Sequence, residues 1–259
     1  MKRYHAPAKV NIYLKITGKR GDYHEILSRF MTVPRLFDTL HFFPKTERGG
    51  FVIDGDFGCT TEQNTIYKAY RALLDATGSK ALEKLMQTHG VAVEKRIPSF
   101  AGLGGGSSDA STFLKMCNEV LHLGISTEDL AEIGAKVGAD VPFFVYGYAS
   151  ANVSGIGEIV EPFDEPELPI ITRTPKIEIS TPAVYKRFRE SFYKELPLEE
   201  RAFFETADSA TILKTLSAED ANDLFAPALS LYPELKTHFR HGWFFSGSGS
   251  SFFKCADSE

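Results

Sequence analysis

The chain has 259 residues, of which 43% are hydrophobic and 24% charged, and its formal net charge is −5. That length buries a sizeable core in one large domain or two smaller ones, with the composition of a soluble globular protein. The acidic excess argues against a chain that works on nucleic acid or an anionic membrane, so neither partner is expected.

Met1 to Pro7 carry no apolar signal region. Cys59, Cys117 and Cys255 are widely spaced without a Cys-x-x-Cys pair, so the expectation is reduced thiols in a cytoplasmic protein. From Ala8, Val10, Ile12, Leu14 and Ile16 alternate with Lys9, Asn11, Tyr13 and Lys15. This predicts a half-buried strand presenting Lys9 and Asn11 on one face. A turn cluster, Gly18 to Asp22, follows; residues 26–33, 39–43 and 51–54 read as strands. Ile66, Ala69, Tyr70, Leu73 and Leu74 predict a helix over 64–76, with another over 81–89. Residues 91–97 read as a strand, in which Lys95 falls in phase with Val91, Val93 and Ile97, an odd place for a charge. Helices are predicted over 110–123 and from Ser126 to Gly138.

Residues 141–148 are apolar and aromatic and read as a buried strand, with 153–160 as its hairpin partner. The stretch 161–169 holds three prolines and four acids and is the candidate boundary between an N-terminal domain (1–160) and a C-terminal one (168–259). Beyond it, 170–173 and 176–179 read as strands, and 183–193, 208–216 and 220–231 as helices. Strands over 243–245 and 251–255 flank Ser246-Gly247-Ser248-Gly249-Ser250. With no strict βαβ repeat, the fold class is α+β in two lobes.

The stretch that organises the rest is Pro98, Ser99, Phe100, Ala101, Gly102, Leu103, Gly104, Gly105, Gly106, Ser107 and Ser108, set between a strand and a helix N-terminus. Glycines let a ligand approach the backbone, and the helix end offers N–H groups and a partial positive charge, so the expected ligand is phosphate. A Walker A loop needs Gly-Lys-Ser/Thr, and no Lys follows Gly106. The Gly-x-Gly-x-x-Gly pattern fails at Ser107 or Asp109, and the protein-kinase loop fails likewise, since no His-Arg-Asp or Asp-Phe-Gly segment follows it.

Pro-x-x-x-Gly-Leu-Gly followed by Ser-Ser resembles the phosphate loop of the galactokinase, homoserine kinase, mevalonate kinase and phosphomevalonate kinase group, the GHMP kinases. Two further motifs match in order: Pro7-Ala8-Lys9-Val10-Asn11 and Gly138-Ala139-Asp140-Val141-Pro142. The resemblance implies a lobe like ribosomal protein S5 domain 2, a ferredoxin-like second lobe, ATP as phosphate donor and Mg2+. Asp140 is then the residue that orients and deprotonates the acceptor hydroxyl, with Lys9 bridging the two. Ser107 or Ser108 would reach Mg2+ or a phosphate oxygen, Lys95 the nucleotide pocket, and Asn64 the adenine.

The Gly-Gly-Gly-Ser-Ser form resembles most the branch whose acceptor is a cytidine-diphosphate alcohol of the non-mevalonate isoprenoid route. Gly21-Asp22-Tyr23-His24 resembles that branch's Gly-Tyr-His segment, and Thr181 to Tyr185 matches the place of its second aromatic ring. This implies a base stacked on Tyr23 and Tyr185, with Asn11, His24, Phe30 and Thr181 completing the acceptor pocket, in a monomer or weak homodimer. Gly247-Ser248-Gly249 matches a late Gly-Thr/Ser-Gly of the family. The alternatives are a homoserine or mevalonate kinase, a non-catalytic nucleotide sensor, or an S5-like RNA-binding domain.

Overall fold

A computed structural model describes residues 2–21 and 23–256; Asp22 of the turn cluster lies outside the described residues. The chain begins with β1 (Tyr4–Arg20), β2 (Tyr23–Pro44), β3 (Ile53–Asp54), α1 (Thr65–Thr77), α2 (Lys80–Thr88) and β4 (His89–Glu94). Then come α3 (Gly105–Val120), α4 (Thr127–Ala135), α5 (Val141–Tyr146), β5 (Ser150–Ser154), β6 (Ile159–Pro162) and β7 (Ile170–Arg173). The remainder is α6 (Thr181–Ser191), α7 (Leu198–Thr206), α8 (Ser209–Thr215), α9 (Ala218–Ala221), α10 (Phe225–Leu231), α11 (Leu235–His238), β8 (Phe244–Phe245) and β9 (Phe252–Cys255). The fold is α+β, as the mixed pattern predicts.

The chain forms two compact units interleaved in sequence: residues 1–8, 34–99 and 104–147, and residues 9–33, 100–103 and 148–259. In the first, the C-terminal part of β2 pairs antiparallel with β4, Leu40 opposite Val93, and β3 pairs parallel with β4. Its core joins Leu40, Phe42, Val91 and Val93 to Ile66, Leu73, Phe113, Leu114, Cys117, Leu130, Val141 and Val145. Each helix contributes the apolar stripe that its 3.6-residue period aligns.

In the second unit, the N-terminal part of β2 pairs with β5, Phe30 opposite Ala151, and β5 pairs with β6. A second sheet has the order β7-β9-β8. Phe225, Phe239, Phe245 and Phe252 pack ring to ring beside it. The acidic, proline-rich stretch 161–169 belongs to this unit. Buried Glu165 accepts from Ser150 Oγ and from both N and Oγ of Ser209. It faces the fully buried Arg29 at 3.5 Å, whose guanidinium lies 3.3 Å from the Phe163 ring centroid. Arg29 also donates to Asn152 Oδ1 and to the carbonyls of Phe204, Glu205 and Ala207.

Several expected elements differ. Residues 141–146 form a helix, not a strand: Pro142 fits a helix first turn, and Gly147 ends it in the left-handed region, φ 73°. The run is apolar throughout, so its period could not be read. Residues 153–160 are not one strand but span the turn between β5 and β6, with Gly155 at φ 67°. The strands expected over 26–33 and 39–43 are one continuous β2. Residues 176–179 form no strand, and 220–231 is broken at Asn222, whose side chain caps Leu224 N. The strand β1 is enclosed rather than half-buried, with Lys9 3% and Asn11 1% exposed.

Candidate active site

On the second unit, β1 brings Lys9 and Asn11 to one face because side chains two apart share a side of a strand. Lys9 Nζ donates to Asn11 Oδ1 at 2.6 Å and stands 4.3 Å over the Phe30 ring centroid. Asn11 Nδ2 donates to Ser28 Oγ at 3.0 Å, and Ser28 donates to the carbonyl of Tyr13. An ammonium is thereby held in place by a side-chain amide and an aromatic face, away from water.

Loop residues 100–103 count with the same unit. Three consecutive loop carbonyls are each tied: Ala101 O by Ser251 N at 3.1 Å, Gly102 O by Ser246 Oγ at 2.9 Å, and Leu103 O by Lys9 N at 2.9 Å. Gly102 has φ 73°, and a Cβ there would run into the Ser246 carbonyl. So two glycine turns pack backbone to backbone. Phe100 is 61% exposed at φ 53°.

In the first unit the loop becomes the N-terminus of α3. Gly104 is its cap at φ 72°, and Ser108 N donates to Gly104 O, so the N–H groups of Gly105, Gly106 and Ser107 precede the helical ladder. A Cβ on Gly105 would sit 2.9 Å from Ile97 Cγ2, and one on Gly106 3.2 Å from Thr65 Oγ1. Thr65 Oγ1 donates to Gly106 O at 2.6 Å. Ser107 is half-exposed, whereas Ser108 is buried and its Oγ has no hydrogen-bond partner. A Cβ on Gly138 would lie 3.8 Å from Ser107 Oγ, so the Gly-Ala-Asp segment adjoins the first turn of α3. Asp140 is half-buried and immediately precedes α5 without capping it.

Strand β4 ends at Glu94, and Lys95 turns to two carboxylates, Asp38 Oδ2 at 2.5 Å and Asp109 Oδ2 at 2.7 Å. Asp38 Oδ1 also accepts from Arg96 N and Ile97 N. Burial alone would lower the Lys95 pKa, but Asp109 and Asp38 together outweigh it and raise it. The Asp109 carboxyl is pushed up to about 7 by burial, Lys95 opposing and Asp38 adding to the rise. Asn64 is 5% exposed and caps α1, its Oδ1 accepting from Ile66 N at 2.8 Å. Sequence reasoning missed Asp38 and Asp109; an acid among Leu36, Phe37 and Leu40 was the available signal for the first.

Elsewhere in the second unit, the His24 ring stacks on Tyr185 with centroids 5.0 Å apart and meets Phe188 edge-on at 6.4 Å. Burial first, then Arg189 and Lys19, lowers the His24 pKa, which keeps the ring neutral at pH 7. Tyr23 is 65% exposed. Thr181 Oγ1 and Ser248 Oγ share a hydrogen bond of 2.7 Å. Among the described residues, no cluster of three or more His, Cys, Asp or Glu could hold a metal ion, and no helix is long and apolar enough to cross a membrane.

Residues 64–148 match the family model described as GHMP kinases N terminal domain. The chain is 60% identical to the 4-diphosphocytidyl-2-C-methyl-D-erythritol kinase of Sulfurimonas denitrificans, over 100% of this chain and 98% of that one. It is 49% identical to the kinase of the same name from a Sulfurovum species, over 97% and 98%. A crystal structure of 4-(cytidine 5'-diphospho)-2C-methyl-D-erythritol kinase superposes with a TM-score of 0.76 at 33% identity, covering 99% of this chain and 90% of that chain. The chain is thus a small-molecule kinase of the GHMP fold and belongs to the 4-diphosphocytidyl-2-C-methyl-D-erythritol kinase family.

Proposed function

We propose that this kinase transfers the γ-phosphoryl group of ATP to the 2-hydroxyl of 4-diphosphocytidyl-2-C-methyl-D-erythritol, in the methylerythritol phosphate route to isoprenoids. The observation that carries this reading is 60% identity along the whole chain to a kinase of that name. The stacked His24 and Tyr185 rings suit a flat base, which homoserine and mevalonate lack.

In this reading the acceptor oxygen attacks the γ-phosphorus, the bond to ADP breaks, and Asp140 takes the hydroxyl proton. Lys9, kept from water by Asn11 and Phe30, supplies positive charge to the acceptor oxygen. Phosphoryl transfer asks mainly for such positioning and charge stabilisation. Residues 98–108 cradle the ATP phosphates, with Asn64 and Lys95 assigned to the nucleotide side; Asn64 would act by setting the start of α1, Lys95 by fixing Asp109 of α3. Tyr23, His24, Phe30, Thr181, Tyr185 and Asn11 are assigned to the acceptor. Mg2+ neutralises charge on the phosphates when bound. Ser107 fits this role better than Ser108, being half-exposed where Ser108 is enclosed.

We also assign residues 1–160 and 168–259 as the family's two lobes, and a monomer or weak homodimer in the cytoplasm, where the absence of a disulfide among the three cysteines is at home. A coupled assay of ADP formation with this acceptor, homoserine and mevalonate tests the function. Turnover with the cytidine-diphosphate alcohol alone is expected; preference for either other acceptor would overturn it.

A further inference from the structure

Asn222 joins α9 to α10 and is 2% exposed. Its Nδ2 donates to the carbonyls of both Phe245 and Gly247, each at 2.9 Å, and its Oδ1 accepts from Leu224 N at 2.8 Å. Asp223, next in sequence, accepts from Ile16 N at 2.8 Å, pairs with Lys15, and donates its own N–H to Leu14 O at 2.9 Å. The dipeptide therefore fastens the middle of β1 to the start of the 246–251 turn.

That turn has two neighbours from the proposed machinery. Ser246 Oγ accepts from Asn11 N at 3.3 Å and donates to Gly102 O at 2.9 Å. A Cβ on Gly247, itself at φ 57°, would sit 3.3 Å from Gly102 O and 3.4 Å from Asn11 Oδ1. The turn is thus the shared support of Asn11 and of loop residues 101–102; Thr181 and Thr174 bond its Ser248 and Ser251 hydroxyls, and Asn222 holds the backbone at its start.

We propose that Asn222 is a positioning residue for phosphoryl transfer, whose two amide hydrogens fix the 246–251 turn so that Asn11 and loop residues 101–103 keep one mutual arrangement. This rests on the reading of residues 98–108 as the ATP phosphate cradle. An aspartate would keep the acceptor for Leu224 N but offer no donor and set a carboxylate oxygen against two carbonyls. A displacement of about 1 Å at a reacting centre costs on the order of 10²-fold in rate.

The test compares Asn222→Asp and the milder Asn222→Ser, which keeps one hydroxyl donor, with the wild type, using turnover per folded molecule and amide exchange. We expect kcat to fall about 10- to 100-fold in Asn222→Asp and less in Asn222→Ser. The amides of Gly249 and Ser251, bonded to Ser246 O and Ala101 O, should exchange faster while those of Thr172 and Phe253 do not change. A purely structural residue would lower the thermal midpoint and leave kcat per folded molecule intact, and that result in either variant that folds would overturn the proposal. Gly104→Ala is the control. If it keeps wild-type ATP affinity, the cradle reading fails; if it loses affinity while either Asn222 variant that folds turns over normally, the Asn222 inference alone fails.

Discussion

Lys9 and Asn11, two residues apart on one strand, meet through a 2.6 Å hydrogen bond from ammonium to amide oxygen, with the Phe30 ring beneath the charge. The amide's own N–H goes to Ser28, so the acceptor oxygen is fixed toward Lys9. Replacing Lys9 with Met keeps the bulk and removes the charge. The expected result is a kcat about 10²- to 10⁴-fold lower with ATP affinity nearly unchanged. Steady-state kinetics with calorimetric ATP titration measures both.

Asp140 should behave alike. Asp140→Asn preserves shape but takes up the acceptor proton poorly, so kcat should fall about 10²- to 10⁴-fold at similar ATP affinity. Near-normal turnover would remove Asp140 from the chemistry.

Tyr185 offers a face to His24 and, by the proposal, takes part in holding a base. Base–aromatic stacking contributes about 1–3 kcal/mol. Tyr185→Ala and Tyr23→Ala should therefore each weaken cytidine diphosphate binding by about 5- to 150-fold. Equilibrium titration with cytidine diphosphate decides it, and unchanged binding in both would exclude these rings from the base site.

Asp109 gives a pH prediction. Its carboxyl loses its proton near 3.8 when unfolded and at about 7 when folded, through burial. Between those values the folded state carries the extra proton. The stabilisation is therefore fully present below the lower value and is lost as pH rises through the upper one, at most about 1.4 kcal/mol per unit. In urea unfolding between pH 5 and 8, Asp109→Asn should lack this slope and gain on the wild type as pH rises.

Arg29 tests the second unit. Its guanidinium serves Asn152, Glu165 and three backbone carbonyls from a fully buried position. Arg29→Met leaves Glu165 buried without its cation and should cost about 3–5 kcal/mol, read as a lower thermal midpoint. Arg29→Lys should not rescue it, since a point charge cannot reproduce the fork.

Local order was legible where one residue decides it. Asn64, Ser79, Ser126 and Asp208 cap their helices as such side chains do. The alternation from Val10 to Ile16 named the strand that carries Lys9 and Asn11. The stretch 141–146 misled because six consecutive apolar residues have no period; the proline at its start and glycine after its end were the better guides. The Lys95 ion cluster was out of reach for another reason. Its partners are 57 and 14 residues away, and nothing local to a charge tells which distant carboxylate will meet it. The odd phase of Lys95 and the acid among Leu36, Phe37 and Leu40 were each visible; that the two meet was not. For the same reason the glycine turn at 246–251 could be matched to a pattern but not seen as the support of residues 101 and 102.

The anchoring of those loop carbonyls also bears on assembly. Their donors are Lys9, Ser246 and Ser251, one near the start of the chain and two near its end. A growing polypeptide that has emerged through residue 240 already holds residues 7–11, 98–108 and 138–142, yet it lacks two of the three groups that hold this part of the loop still. Such long sequence separations slow folding, because closure entropy is lost before the contact compensates. Nucleotide binding by a chain cut before Ser246 should thus be weak although it keeps the whole of residues 98–108.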